Sequence, residues 1–536
     1  MSRFPSDGGR RARTRVSSNL RITRREMLAT SAAAVGTLEA SRLYAGGGTL
    51  GERLRKDVRD LTDNEVRKYR EAVRRMKMKG PDVPQWSGTN LTMPASSGQD
   101  KQGYAFQALV HTLHCPHGNW WFLPWHRVYL FYFEDALRDL AADFMPDVPL
   151  TIPYWNWTAQ RGVPAIFADP MNNPLFDARR HPIPLRDEDV GSDVIKDTVE
   201  NVHTFEGFGS SASCTKSANA GISPFEGGPH GMVHVRIGWH RNPPAFRPWG
   251  DLRVPPTAAF DPLFWSHHAN IDRLWDVWLA SDPSHRNPAF DQPCASGNDR
   301  TWGNMSFEEF VAGDGSAMSR TVQEFLEDPA LIAVQYVPKE SAIAAAQPIR
   351  SGPMPQAERR DDKREVETVP ANMQLRLGEP FTLSIALTAA LKKRLKSVVE
   401  DKKRTALFRV RDIKVKEDEG ISLEVRAYLN KEDVTVETDT KDPHSLGYFT
   451  FFGAGHDHRE PKKREPREAA GHAEGFTALL NLAPALRRLK EDEVFGDRKA
   501  LNITLLLQPV DPKVLELPAA AEPVALPFAG GQLELP

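Results

Sequence analysis

Residues 111–127 read HTLHCPHGNWWFLPWHR, and VYLFYFEDAL continues them to residue 137. His111, His114, His117 and His126 crowd into the front of an aromatic segment of helical length. A second cluster follows in His230-Gly-Met-Val-His234 and, about thirty residues later, His267-His268-Ala-Asn-Ile-Asp272. A histidine pair at i, i+4 turns both imidazoles to one helix face, where they can share an ion, and a histidine from another helix completes a trigonal set. The clusters can meet only if helices converge on them. Between Tyr104 and Trp278 the chain is dense in Trp and His and broken by Pro-rich loops, which describes a helical core with long irregular connections rather than alternating strands and helices. The expected fold class is a mainly α catalytic domain, a helical bundle around the histidines with long loops, followed by a C-terminal β-sandwich.

Upstream, Thr62 and Glu65 form a capping-box pattern, and Val66, Tyr69, Val73 and Met76 recur at helical spacing, so a helix is expected over 61–78. Residues 80–101 are polar and rich in Gly, Pro and Ser, a long loop. Downstream, the charged run SGPMPQAERRDDKREV reads as a linker. After it come short β-rich runs, FTLSIAL, LFRVRDIKV, ISLEVRAYL, GYFTFF and LNITLLL, with one charged insertion, HDHREPKKREPREAAGH. The N-terminus is arginine-rich, and Thr23-Arg24-Arg25-Glu26-Met27-Leu28 precedes a small-residue stretch, as in a twin-arginine export signal. The expected divisions are an export segment 1–46, a catalytic domain 47–345, a charged linker 346–368, a β-sandwich 369–510 and a Pro/Ala-rich tail 511–536. Export to the periplasm or beyond is the expected localisation; a basic tail on a cytoplasmic protein is the alternative.

Lys plus Arg number 69 against 71 Asp plus Glu, a net charge of -2, which removes any global reason to bind nucleic acid or an anionic membrane. No apolar run is long enough for a membrane anchor in the mature chain. Three cysteines, Cys115, Cys214 and Cys294, are too few for a disulfide scaffold. Cys214 and Cys294 can pair, but nothing in the sequence decides it.

Three imidazoles per ion, twice over, without carboxylate or ligating thiolate, suit copper rather than calcium or magnesium. Three-histidine zinc sites occur singly, so the paired arrangement argues for a dinuclear copper centre that binds O2. A zinc hydrolase is disfavoured because no glutamate follows the first of the spaced histidines in the HExxH manner.

Two long patterns then carry a resemblance. His117-x4-Phe122-Leu-Pro-Trp125-His126-Arg127-x2-Leu130-x3-Glu134 resembles the copper A signature of the tyrosinase, catechol oxidase and hemocyanin superfamily. Asp261-Pro262-Leu-Phe264-Trp265-Ser-His267-His268-x3-Asp272 resembles its copper B signature, and Ile152-Pro-Tyr154-Trp155-Asn-Trp157 a structural segment between them. The resemblance covers roughly residues 51–340. It implies His117 and His126 as copper A ligands, with His111 as the third and His114, one turn on, as the alternative. It implies His230, His234 and His268 for copper B, with His267 as a neighbour outside the ligand set. Asp272 and Glu134 would orient their helices, or else are ordinary helix-surface acids. Cys115-Pro-His117 resembles the family's Cys-x-His thioether; the other reading is a reduced, buried cysteine. Glu226 stands where plant-type relatives hold a water that helps deprotonate phenol; the other reading is a loop glutamate in solvent. Gly231 replaces the Asn of many monophenol hydroxylases, so weak monophenol hydroxylation is the most expected. The resemblance implies a type 3 copper polyphenol oxidase with two copper ions. It would take O2 and a small phenolic or catecholic substrate, oxidise o-diphenols to o-quinones, and be held latent by its C-terminal domain. A hemocyanin-like oxygen carrier and an o-aminophenol oxidase share the same site.

Overall fold

The helical part is closed by a short parallel strand pair, β1 (Arg53–Arg55) and β2 (Val334–Tyr336), which joins its beginning to its end. The computed structural model describes residues 53–87, 90–180, 182–239, 250–337, 353–357, 365–415, 423–454, 475–510 and 524–535. The export segment 1–46, most of the linker 346–368 and the charged insertion lie outside the described residues.

Helix α1 (Asp63–Lys79) starts at the expected capping box: the Glu65 carboxylate accepts the Thr62 N–H at 2.8 Å and Thr62 Oγ1 accepts the Glu65 N–H at 3.3 Å. The site is framed by α2 (Tyr104–His114), α3 (Phe122–Leu140), α4 (Gly231–Ile237) and α5 (Leu263–Ser281). Helix α3 is buried almost all round, and α5 through Trp278, as central helices must be. Each has its first turn anchored by a side-chain oxygen. Asn119 Oδ1 accepts the Trp121 N–H at 3.1 Å before α3, and Asp261 Oδ1 accepts the Leu263 N–H at 2.8 Å in α5.

The acids at the far ends of the two signatures are buried, which sets aside the surface reading. Glu134 is 0% and Asp272 4% exposed. Arg55 of β1 donates to Glu134 at 3.0 Å, to Asp272 at 3.3 Å and to the Tyr336 hydroxyl at 2.8 Å, while Arg127 of α3 pairs with Asp272 and Asp276 of α5. The strand pair and the two central helices are thereby bolted together by charges that no water screens, and breaking such a set by removing one partner costs about 3–5 kcal/mol.

The C-terminal part is two four-stranded sheets face to face. Its strands are β3 (Glu365–Arg376), β4 (Pro380–Ala386), β5 (Leu407–Ile413), β6 (Leu423–Leu429), β7 (Ser445–Thr450), β8 (Phe476–Asn481), β9 (Ala500–Pro509) and β10 (Ala525–Leu535). One sheet has the order β7-β6-β9-β4 and the other β8-β5-β10-β3. Their facing residues, among them Val410, Phe408, Val425, Leu480, Ile503 and Leu505, form one core.

Two boundaries differ from expectation. Residues 525–535, expected as loose tail, form β10, an interior strand paired with β3 and β5 that buries Leu526, Phe528, Leu533 and Leu535. Pro527, Gly530 and Gly531 hide its alternation; the glycine at 531 is required because a Cβ there would lie 2.1 Å from the Phe408 ring. Strand β3 likewise begins at Glu365, inside the stretch read as linker.

The sandwich is stitched to the loops that carry the second histidine cluster. Ile222 donates its N–H to Thr477 O at 2.9 Å and accepts the Leu479 N–H at 2.8 Å, extending β8. Thr450 Oγ1 donates to Gly227 O at 3.0 Å, and Arg409 bridges Glu206 and Glu534.

Candidate metal centre

Helix α2 delivers His111, the loop after it His117, and the first turn of α3 His126. A π-helical turn, Glu226–His230, runs into α4 and delivers His230 and His234, and α5 delivers His268. All six are buried. Their ring nitrogens converge in overlapping groups: His111 with His126 and His268, His111 with Cys115 and His117, and His230 with His234, His267 and His268, each within 4.8 Å. The rings of His126 and His268 stack with centroids 4.3 Å apart, so the two clusters form one cage.

The hydrogen bonds fix which nitrogen faces the centre. Nδ1 of His111, His126, His230 and His234 lies against the carbonyls of Pro255, Phe122, Glu226 and Leu252 at 3.0, 2.8, 2.9 and 2.8 Å. A carbonyl only accepts, so each Nδ1 carries the proton and each Nε2 keeps its lone pair. Burial pulls His126 and His230 down to about 3, His126 also feeling His230, and pushes His234 and His268 well below the ordinary histidine value. The rings are therefore neutral at physiological pH. Nε2 of His126 and of His230 is buried with no hydrogen-bond partner, an arrangement costing about 1–3 kcal/mol per group unless something binds there. Buried imidazoles, four of them with Nδ1 protonated and an Nε2 lone pair, are a donor set that fits a transition-metal pair.

His267 is as close as a ligand but in the wrong protonation state. Trp157 Nε1 donates to its Nδ1 at 3.2 Å, which places the proton of a neutral ring on Nε2 and leaves no lone pair toward the cage. His114 joins none of the groups; it is half-buried beside Glu309 and Lys216. Cys115 is a buried thiol with Sγ 3.6 Å from His117 Nδ1, whereas Cys214 and Cys294 form a disulfide.

Glu226 is not in solvent: it is 0% exposed. Oε1 accepts the Gly118 N–H at 2.8 Å and Oε2 accepts the Ser210 hydroxyl at 2.5 Å, so the carboxyl ties the loop of His117 to the turn of His230. Burial pushes it up to about 8, although both hydrogen bonds act the other way.

Sequence reasoning passed over Phe452, which comes from the sandwich just after β7. It is 2% exposed and stacks on His234 with centroids 3.9 Å apart and planes 12° from parallel, while meeting His117 and His230 edge-on at 5.5 Å. Gly453 follows with φ 85°, and a Cβ there would come within 3.1 Å of His117 Cβ. In GYFTFF this ring is indistinguishable from a strand-core residue, since its neighbour Phe451 packs in the sandwich.

A central helical core with two converging histidine clusters, capped by a sandwich ring, makes a histidine cage that could hold two metal ions. The family model described as the common central domain of tyrosinase matches residues 93–187 and 170–281. The chain is 26% identical over 435 residues to (+)-larreatricin hydroxylase of Larrea tridentata, covering 73% of this chain and 68% of that protein. It is 30% identical over 324 residues to Tyrosinase HcTyr1 of Hahella sp. (strain CCB-MM4), covering 53% of this chain and 63% of that one. The structure of latent apple tyrosinase superposes with a TM-score of 0.58 at 19% identity, covering 90% of this chain and 97% of that chain. Residues 93–281 carry the common central domain of tyrosinase, and the chain is similar to tyrosinases and polyphenol oxidases, copper oxidoreductases of a family that uses a dinuclear copper centre. Among the described residues no helix is long and apolar enough to cross a membrane.

Proposed function

We propose that the chain is a type 3 copper oxidase that converts o-diphenols to o-quinones with O2 and is held latent by its C-terminal sandwich. The observation that carries this reading is the cage itself: six buried imidazoles, four of which have Nδ1 held on a backbone carbonyl so that Nε2 keeps its lone pair. His111, His117 and His126 would hold one copper and His230, His234 and His268 the other. Bound copper would supply O2 activation and accept the two electrons of the diphenol.

The chain's own groups do the rest. Backbone carbonyls hold His111, His126, His230 and His234 in one tautomer, so these four need lose no proton before metal binds. The flat face of His234 is the stacking platform for a phenolic ring, because Phe452 already occupies it with that geometry. Glu226, a buried carboxyl between the His117 loop and the His230 turn, is the base that takes the phenolic proton. A ring on the platform and a substrate ring exclude each other, which is the physical content of latency. The 3.6 Å approach of Cys115 Sγ to His117 supports the thioether reading for that pair. With no side chain at Gly231 to help hold a water, monophenol hydroxylation is weak. Export through the N-terminal segment belongs to the same reading, and it is compatible with the Cys214–Cys294 disulfide. Metal analysis together with oxygen consumption on catechol tests the assignment. Two copper ions per chain with turnover after the shield is displaced are expected. Copper without turnover would move the oxygen-carrier reading ahead, and absence of copper would remove both.

A further inference from the structure

Ser210 ends the short helix Phe205–Gly209 with φ 72° and ψ 169°, a backbone region open in practice only to glycine. It is 1% exposed, and no glycine stands there to relieve the strain. Its hydroxyl is engaged on both sides: it accepts the Ser223 N–H at 2.8 Å and donates to Glu226 Oε2 at 2.5 Å. Ser223 in turn accepts the Glu226 N–H at 3.1 Å and donates to Phe208 O at 2.7 Å, so two serines hold the glutamate by backbone and carboxyl at once. The opposite oxygen is fixed by the Gly118 N–H, and the Gly118 carbonyl accepts the N–H groups of Ala220 and Gly221 at 2.9 and 3.0 Å. Three segments, 117–118, 210–211 and 220–226, thus meet on one carboxyl.

A side chain kept where glycine would be less strained is kept for what its atoms do, and the only donor Ser210 adds is the one on Glu226. We propose that Ser210 is a positioning residue for Glu226: its hydroxyl holds Oε2 so that the carboxyl stays aimed between the His117 loop and the His230 turn. This rests on Glu226 acting as the base. The strain is then the cost of orientation, and serine is retained because glycine would free the backbone and release the carboxyl together.

The test uses the full chain carrying Phe452→Ala, so that the platform is open. Adding Ser210→Gly is expected to lower kcat for a catechol about tenfold with KM within about twofold, because proton transfer is hurt and ring stacking is not. The copper-free Ser210→Gly chain loses the acceptor of the buried Ser223 N–H as well as the backbone strain, opposed effects of similar size, so its melting point is expected within a few degrees of its parent's. Placed on Glu226→Gln, the same change is expected to alter kcat by less than about twofold, as the hydroxyl then has no carboxylate to aim. An unchanged kcat, additive losses in the double variant, or a melting point several degrees lower would each overturn the proposal. Should the Phe452→Ala chain oxidise no diphenol at all, the base reading fails on its own. The copper-free melting comparison then still decides whether the serine is held against strain: a melting point several degrees lower overturns that too.

Discussion

At the level of single residues the account divides near neighbours into different roles. His111 points its Nε2 into the cage while His114, one turn on, lies beside Glu309 and Lys216, so His111→Ala is expected to lose about one copper per chain and His114→Ala none, read by metal analysis. Spacing alone left these two open, because α2 can turn either toward the centre; the carbonyl of Pro255, far along the chain, holds His111 in the cage, and His114 lies outside it. Likewise His267 and His268 are adjacent letters, and what distinguishes them is that the indole of Trp157 donates to His267 Nδ1. Glu226 gives a pH prediction with a definite sign. Its folded value of about 8 lies above the ordinary 4.5, so the folded chain keeps a proton that the unfolded chain has lost. Stability from this group therefore falls as pH rises through about 4.5 to 8. The depressed values of His126 and His230 act oppositely, costing stability as pH falls from about 6.5 toward 3. Melting of the copper-free chain should thus decline from pH 5 to pH 8 more steeply in wild type than in Glu226→Gln; parallel curves would remove the buried-carboxyl argument.

Between elements, the informative contact is that of β7 on the turn Glu226–His230. Gly227, Gly228 and Gly231 present almost bare backbone to the strand: a Cβ on Gly231 would lie 2.2 Å from Thr450 Oγ1, and one on Gly227 3.3 Å from Phe449 Cβ. The glycine at 231 therefore belongs to the docked sandwich as much as to the metal site. Gly231→Ala overpacks this contact, which typically costs about 1–3 kcal/mol. Hydrogen exchange of the β7 amides in the full chain should accelerate roughly tenfold or more, with Thr450→Gly restoring protection; unchanged protection would show that the strand yields without cost. Much at this scale was legible. The capping box at Thr62, the i, i+4 pair on one turn and the period-two runs of the sandwich are local signals, and local physics produced them. Strand β10 was not, because Pro527, Gly530 and Gly531 are tolerated only where Phe408 crosses and the strand bulges, a condition set by β5 and β3. The π-helical form of the turn, with Pro229 inside it, has no sequence period either.

For the whole molecule, the helical core and the sandwich share a boundary that runs along the histidine cage, so on the proposed reading catalysis and its restraint are built from one surface. The two histidine clusters announced the core because metal ligation needs several residues of one type at fixed spacing. The ring that stacks on His234 is a single phenylalanine among strand phenylalanines, and that contact exists only in three dimensions. On the proposed reading this ring, and not a defective metal site, keeps the full chain silent. The direct measurement is copper content and catechol oxidation rate of the full chain beside its Phe452→Ala variant. Equal copper, two ions per chain in both, with a rate at least about tenfold higher in the variant, is the predicted result. Equal copper with the same rate in both would contradict it, since His234 would then be open to substrate with Phe452 in place.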